Sequence, residues 1–260
     1  NPYSDEAYYY ITAGGNPGLR VQALNEPSGN SNIAINTFND YQFHEEDEFS
    51  GAKVGRRWLG NRFDIESEQT YEFNFPNMVG GAIMEVSVIV ASSSENSTSL
   101  AVSVNGTSLN PFTFNAIDGT TLLDYEPANN NQNWPAQIPA AGENVTINLL
   151  YNNGGNPSSI GYLDYIRIEA LRQLTGIDGQ LLFRYNDAAT TSGVAEYTIS
   201  NASQFSQVWD VTNTNAITAK PNEGLVSFSF KSQMGEIREY VAVNPQDYFE
   251  PVEIGQSVVA

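Results

Sequence analysis

Cysteine is absent from the 260 residues, and histidine occurs once. Without cysteine, a disulfide framework, a thiolate zinc site and a cysteine nucleophile are all excluded within these residues. Positive charge is scarce as well: eleven Lys and Arg stand against thirty Asp and Glu, a net charge of −19. A surface that acidic repels phosphate backbones and anionic headgroups, so neither nucleic acid nor a membrane surface is expected as a partner. No apolar run approaches the roughly eighteen residues of a membrane span. The longest, near Ala82 to Ala91, is broken by Glu85 and Ser87, so direct membrane insertion is not expected either. The start, Asn1-Pro2-Tyr3, lacks an initiator Met, a charged leader and an apolar segment behind it, which fits a processed or excised piece.

Helical periodicity is also hard to find. What recurs instead is period-two alternation bounded by Gly, Asn and Pro, the mark of an all-β chain. Ala82, Met84, Val86, Val88 and Val90 share one face of a strand, with Glu85 and Ser87 on the other. Leu100, Val102 and Val104 follow the same rule, and Asn105-Gly106 then supplies the two positive-φ positions of a type I′ hairpin. Val145, Ile147, Leu149 and Tyr151 form another inward stripe, closed by the turn-rich segment 152–157. Within 162–171 the apolar phase slips between Tyr165 and Ile166, which a β-bulge near Asp164 reconciles. A new strand series follows Gly176: 180–184, 195–200, 207–211, 225–231 and 239–243. The expected organisation is a jelly-roll-like β-sandwich over 1–172 and a smaller β-sandwich over 173–260.

Candidate chemistry is sparse. His44 precedes Glu45, Glu46, Asp47 and Glu48. One histidine without cysteine is a poor zinc set, and the segment reads as a solvated acidic turn. No Ser sits in a nucleophile elbow, so a Ser-His-Asp triad is not expected. Carboxylate pairs about 5 to 10 Å apart, as glycosidases use, are not measurable in sequence, and a glycoside hydrolase stays open as a third reading. A structural calcium near Asp40, Asp47, Asp118 and Asp124 is conceivable from ligand type, although none lies in an EF-hand pattern; no cofactor is otherwise expected and no residue is assigned to metal. Trp134, in Asn133-Trp134-Pro135, and nearby Tyr125 are the candidate ligand or partner contacts. They offer either a stacking platform for a sugar or a loop Trp folded over the sandwich edge. Trp58 and Trp209 read as core anchors with paired indole N–H groups. The sequons at Asn96, Asn105, Asn144 and Asn201 read as products of an Asn-, Ser- and Thr-rich composition.

Several segments, in order, resemble the PorU-like sortases of type IX secretion, whose C-terminal part is a gingipain-type (C25) cysteine peptidase. They are Asn1-Pro2-Tyr3-Ser4-Asp5 with Tyr8-Tyr9-Tyr10-Ile11-Thr12, Arg56-Arg57-Trp58-Leu59-Gly60 before Phe63, and Leu163-Asp164-Tyr165-Ile166. Leu181-Leu182-Phe183-Arg184, Val208-Trp209-Asp210-Val211-Thr212 and Arg238-Glu239-Tyr240-Val241-Ala242-Val243 before Pro251 complete the set. The resemblance implies a parent at the bacterial outer membrane that cleaves C-terminal sorting signals from exported proteins. This chain would be its non-catalytic scaffold or docking region. The implied partners are its own downstream peptidase domain, an outer-membrane protein and exported cargo. The family's Cys/His dyad has no counterpart here, and no catalytic residue carries over. The composition, rich in Asn, Ser, Thr, Gly and Tyr, matches exported bacterial β proteins. The alternative from another class is a carbohydrate-binding module using Trp134.

Overall fold

The computed structural model describes residues 18–50, 58–118, 126–127, 134–177, 179–250 and 252, and beyond two short 3₁₀ turns its regular structure is strand. In chain order the first strands are β1 (Gln22–Ala23), β2 (Ile33–Ile35), β3 (Thr37–Glu45), β4 (Gly60–Phe63), β5 (Glu68–Asn74), β6 (Ile83–Ser93) and β7 (Thr98–Val104). Then come β8 (Thr107–Ser108), β9 (Phe112–Phe114), β10 (Glu126–Pro127), β11 (Ala136–Pro139), β12 (Asn144–Asn152) and β13 (Ile160–Gln173). The last six are β14 (Leu181–Arg184), β15 (Val194–Ile199), β16 (Gln207–Asp210), β17 (Thr218–Pro221), β18 (Phe228–Gln233) and β19 (Glu239–Val243). The strand expected over 225–231 begins later, at Phe228, because Leu225 and Val226 point into solvent.

The fold divides into two compact units. One is built on Asp40–Arg172; the other combines Pro17–Asn39 with Gln173–Ala260. The expected first domain, 1–172, is therefore corrected at its N-terminal side. β2 pairs in parallel with β15, β1 pairs with β17, and Ile35 and Phe38 are buried in the second unit's core. Strands of two or three residues carry too little alternation to be assigned from sequence, and their partners lie far along the chain.

In the first unit one sheet runs β3-β13-β6-β11 and the other β5-β12-β7-β9. Counting these eight strands along the chain, the sheets read 1-8-3-6 and 2-7-4-5, the order of a jelly roll. The stripes expected from alternation face one another: Met84, Val86, Val88 and Val90 on β6 pack with Leu100, Val102, Val104, Val145, Ile147 and Leu149. Burying one such side chain contributes about 1.5–3 kcal/mol. Two local features follow the sequence closely. Asn105 and Gly106 adopt φ of 48° and 77° at the β7–β8 turn, and the β13 register shifts between Leu163 and Tyr165. At Gly161 the opposed Tyr151 ring comes so close that an added Cβ would lie 2.7 Å from it. That leaves the Tyr151 hydroxyl within 2.7 Å of Ser92 Oγ inside the core.

In the second unit one sheet is β1-β17-β16-β19-β14 and the facing one β18-β15-β2. Its core is aromatic: Phe183, Tyr197, Phe230 and Tyr240 form a cluster in which Tyr197 and Phe230 stack at 5.1 Å and 5°. Tyr240 donates its hydroxyl to Ser232 Oγ at 2.7 Å. Trp209 does not belong to this core. Val208 and Asp210 take the inward positions of β16, so strand alternation turns Trp209 outward. Its indole N–H finds no acceptor among the described residues, against the expectation of a paired anchor. Trp58 is half-buried, and the core position beside it is taken by Leu59.

Candidate functional site

Trp134 lies against the first unit's core, its ring stacked on Phe112 at 4.7 Å and 21°. One face of the indole is thus covered by the protein, as in a loop Trp folded over the sandwich edge. Its N–H has no acceptor among the described residues. Tyr125 lies outside the described residues, as does the Asn-rich stretch 129–133.

His44 is on strand β3 rather than in a turn; the acidic turn begins after Glu45. Its Nε2 lies 2.8 Å from Asn61 Oδ1, and Asn61 Nδ2 donates to Glu46 Oε2 at 2.7 Å. Because the amide nitrogen is committed to the carboxylate, the amide oxygen faces the ring, and His44 Nε2 carries the hydrogen. Tyr71 packs on the imidazole at 4.7 Å. These groups border a shallow cleft of about 560 Å³ lined by four glutamates, Glu46, Glu48, Glu66 and Glu68, and one cation, Arg62, together with Asn61, Gln69, Thr70 and Tyr71. Burial, reinforced by the charge of Glu46, pushes the Tyr71 phenol far above its ordinary range. Tyr71 is therefore a neutral donor, and it donates to Gln69 Oε1 at 2.7 Å. The cleft holds hydrogen-bonding groups and negative charge but no nucleophile activated by a neighbouring base.

The acidic positions weighed for calcium do not converge. Asp40 pairs with buried Arg172 at 2.6 Å, Asp47 and Asp118 are exposed, and Asp124 lies outside the described residues. Among the described residues no group of three or more His, Asp or Glu side chains is placed to hold a metal.

The motif segments that carry the family resemblance turn out to be framework. Leu59 and Phe63 are core residues, and an added Cβ on Gly60 would collide with the Glu46 backbone. The segment 163–166 holds the β13 bulge, and 181–184 is strand β14. Asp210 and Arg238 join two of the motifs through a 3.1 Å ion pair in which Asp210 is nearly buried. The segments 1–12 and 51–57 are outside the described residues.

One surface escaped the sequence reading. On the outward face of β3, Tyr41 and Phe43 are 53% and 48% exposed, and Phe43 stacks on Tyr165 of β13 at 5.1 Å and 27°. Alternation between Thr37 and Glu45 was the available signal, but the half-buried positions Gln42 and His44 are polar, and that hides it.

No family model matches the chain, and no curated protein matches it. Among solved structures, it is similar to the dimeric latent PorU from Porphyromonas gingivalis, with a TM-score of 0.68 and 13% identity over 86% of this chain. The chain spans 22% of that protein's length. A carbohydrate-binding module of family CBM36, solved with calcium and xylotriose, overlaps 50% of this chain and 98% of its own at TM-score 0.29 and 15% identity. A CBM36 domain of a xylanase from the hindgut metagenome of Trinervitermes trinervoides overlaps 50% and 96% at TM-score 0.28 and 13% identity. The last two likenesses are too slight to carry an argument. The first is one of fold: this chain is all-β and PorU-like in architecture.

Proposed function

We propose that this chain is the non-catalytic scaffold and docking region of a cell-surface C25-type cysteine peptidase of the PorU-like sortase kind. The observation that carries the reading is the fold shared with PorU over 86% of the chain. The ordered motifs agree with it, because they fall on strands, a bulge and a buried ion pair, the parts a scaffold would have to keep. The missing cysteine agrees too: these residues by themselves supply no thiolate. In this role the two sandwiches position a peptidase domain at the bacterial outer membrane. They hold the sortase's outer-membrane partner and meet exported cargo whose C-terminal signal is cleaved elsewhere in the parent.

The test is to read the gene beyond Ala260. A downstream domain carrying a Cys/His dyad is expected. Deleting residues 18–250 from that parent should abolish processing of cargo signals while the peptidase domain still hydrolyses a short peptide. A stop codon close behind Ala260, or a downstream glycanase domain, would overturn the reading.

A further inference from the structure

Outward faces of solvated sheets are ordinarily polar, and the β3–β13 face of the first unit departs from that rule. Tyr41 and Phe43, two residues apart on one strand, stand about 7 Å from each other on the same face, each roughly half exposed. Tyr165 joins them from the neighbouring strand through its 5.1 Å stack on Phe43. Past the bulge, β13 buries Ile166, Ile168 and Ala170 and so turns Tyr165, Arg167 and Glu169 outward. Arg167 and Glu169 are paired at 2.7 Å. Glu169 lies opposite Glu85 of β6, whose carboxylate accepts from Gln137 at 3.0 Å. The surface is therefore a narrow strip of aromatic rings continued by hydrogen-bonding side chains, in which Arg167 and Glu169 neutralise each other and Glu85 adds one negative charge.

We propose that this face binds an uncharged polysaccharide, with Tyr41, Phe43 and Tyr165 as the stacking surface and Arg167 and Glu169 as hydroxyl partners. A pyranose presents a C–H face that packs on an aromatic ring and a rim of hydroxyls that both donate and accept. The strip offers the two kinds of contact side by side. Charge selects among glycans. Glu45 leaves the same strand face beside Phe43, and the carboxylates of Asp47 and Asp164 lie near it. Together with the net charge of −19, that end of the strip repels a polyuronate or a phosphorylated glycan. A protein partner would call for a broad apolar centre within a polar rim, and here the apolar strip is only two strands wide. Trp134 has no part in the site.

The test is affinity gel electrophoresis and calorimetry of the 260-residue chain against mixed-linkage β-glucan, arabinoxylan and galactomannan, with polygalacturonate as the anionic comparison. Binding to at least one neutral polymer is expected, with none to polygalacturonate. Phe43→Ala and Tyr41→Ala should each weaken it roughly tenfold, Phe43→Trp should retain it, and Trp134→Ala should leave it unchanged. The Tyr41 and Phe43 variants should keep the melting temperature, since both side chains are exposed, whereas Trp134→Ala, which uncovers Phe112, should lower it without changing binding. No binding to any neutral polymer overturns the proposal. So does equal binding to polygalacturonate, or binding that survives the folded Tyr41→Ala/Phe43→Ala double variant. None of these outcomes bears on the sortase reading, which the downstream gene decides.

Discussion

Arg172 is buried to 6% exposure, yet it carries a full charge. Its Nη1 meets Asp40 at 2.6 Å and its Nε donates to the Pro76 carbonyl at 2.6 Å, so one guanidinium satisfies groups from two distant segments of the first unit. Removing one partner of such a pair leaves the other desolvated, at a cost of about 3 kcal/mol. Arg172→Ala should therefore lower the unfolding free energy by that amount, read as a lower denaturant midpoint at unchanged slope. Replacing both partners with apolar residues, as in Asp40→Leu/Arg172→Met, should cost less than the single change. Glu45 tests the opposite sign. Its carboxyl is pushed above the ordinary 4.5 by burial first and by Asp47 and Asp164 next. The folded state thus holds the proton more tightly than the unfolded one, and this contribution to stability is present below pH 4.5 and lost as pH rises through the folded value. At neutral pH the ionised group opposes folding. Glu45→Gln should raise the melting temperature slightly at pH 7, with the gain gone by pH 4.

At the scale of elements, the longer strands were legible in the sequence because their alternation is strict. On β6 and β12 every inward residue but Ser92 is apolar and most outward ones are polar, and the type I′ turn and β13 bulge appear where the residues call for them. The short strands were not. β1 and β2 gain their conformation from β17 and β15, which is information that no local window holds. Edge protection was likewise invisible. β18 is the edge of its sheet, and the side chains of a remote loop and a neighbouring strand block it. Glu26 accepts from the Lys231 amide at 2.5 Å, and Lys220 donates to the Ser229 carbonyl at 2.9 Å while pairing with Glu26. Unblocked edges template strand addition. Glu26→Ala should make the chain self-associate with rising concentration, measured by light scattering at neutral pH, whereas Lys231→Ala should not.

For the whole molecule, charge and buried phenols set the limits of stability. Tyr197 and Tyr240 have their phenols pushed far above the ordinary 10.0, burial being the first cause for both. Above pH 10 the unfolded chain releases these protons and the folded chain keeps them. The folded state then binds more protons, and stability falls as pH rises. Absorbance at 295 nm follows the phenols as they ionise. A late group should appear together with loss of near-UV dichroism; a single smooth titration would contradict the buried assignment. The acidic surface adds a salt effect, since screening relieves self-repulsion.

The sequence by itself determined the class: no cysteine, alternating apolar stripes and turn residues between them leave an all-β sandwich and remove thiol chemistry. Those properties are local, written in periods of two and in single turn dipeptides. The tertiary structure alone decided how the sheets order into a jelly roll, that residues 18–39 belong to the second unit, and that Trp209 faces outward while Trp134 leans on Phe112. It also decided where the aromatic strip forms, because Phe43 and Tyr165 meet only once β3 and β13 pair. Sites made by residues far apart in the chain depend on register and topology, and neither is encoded within any one segment.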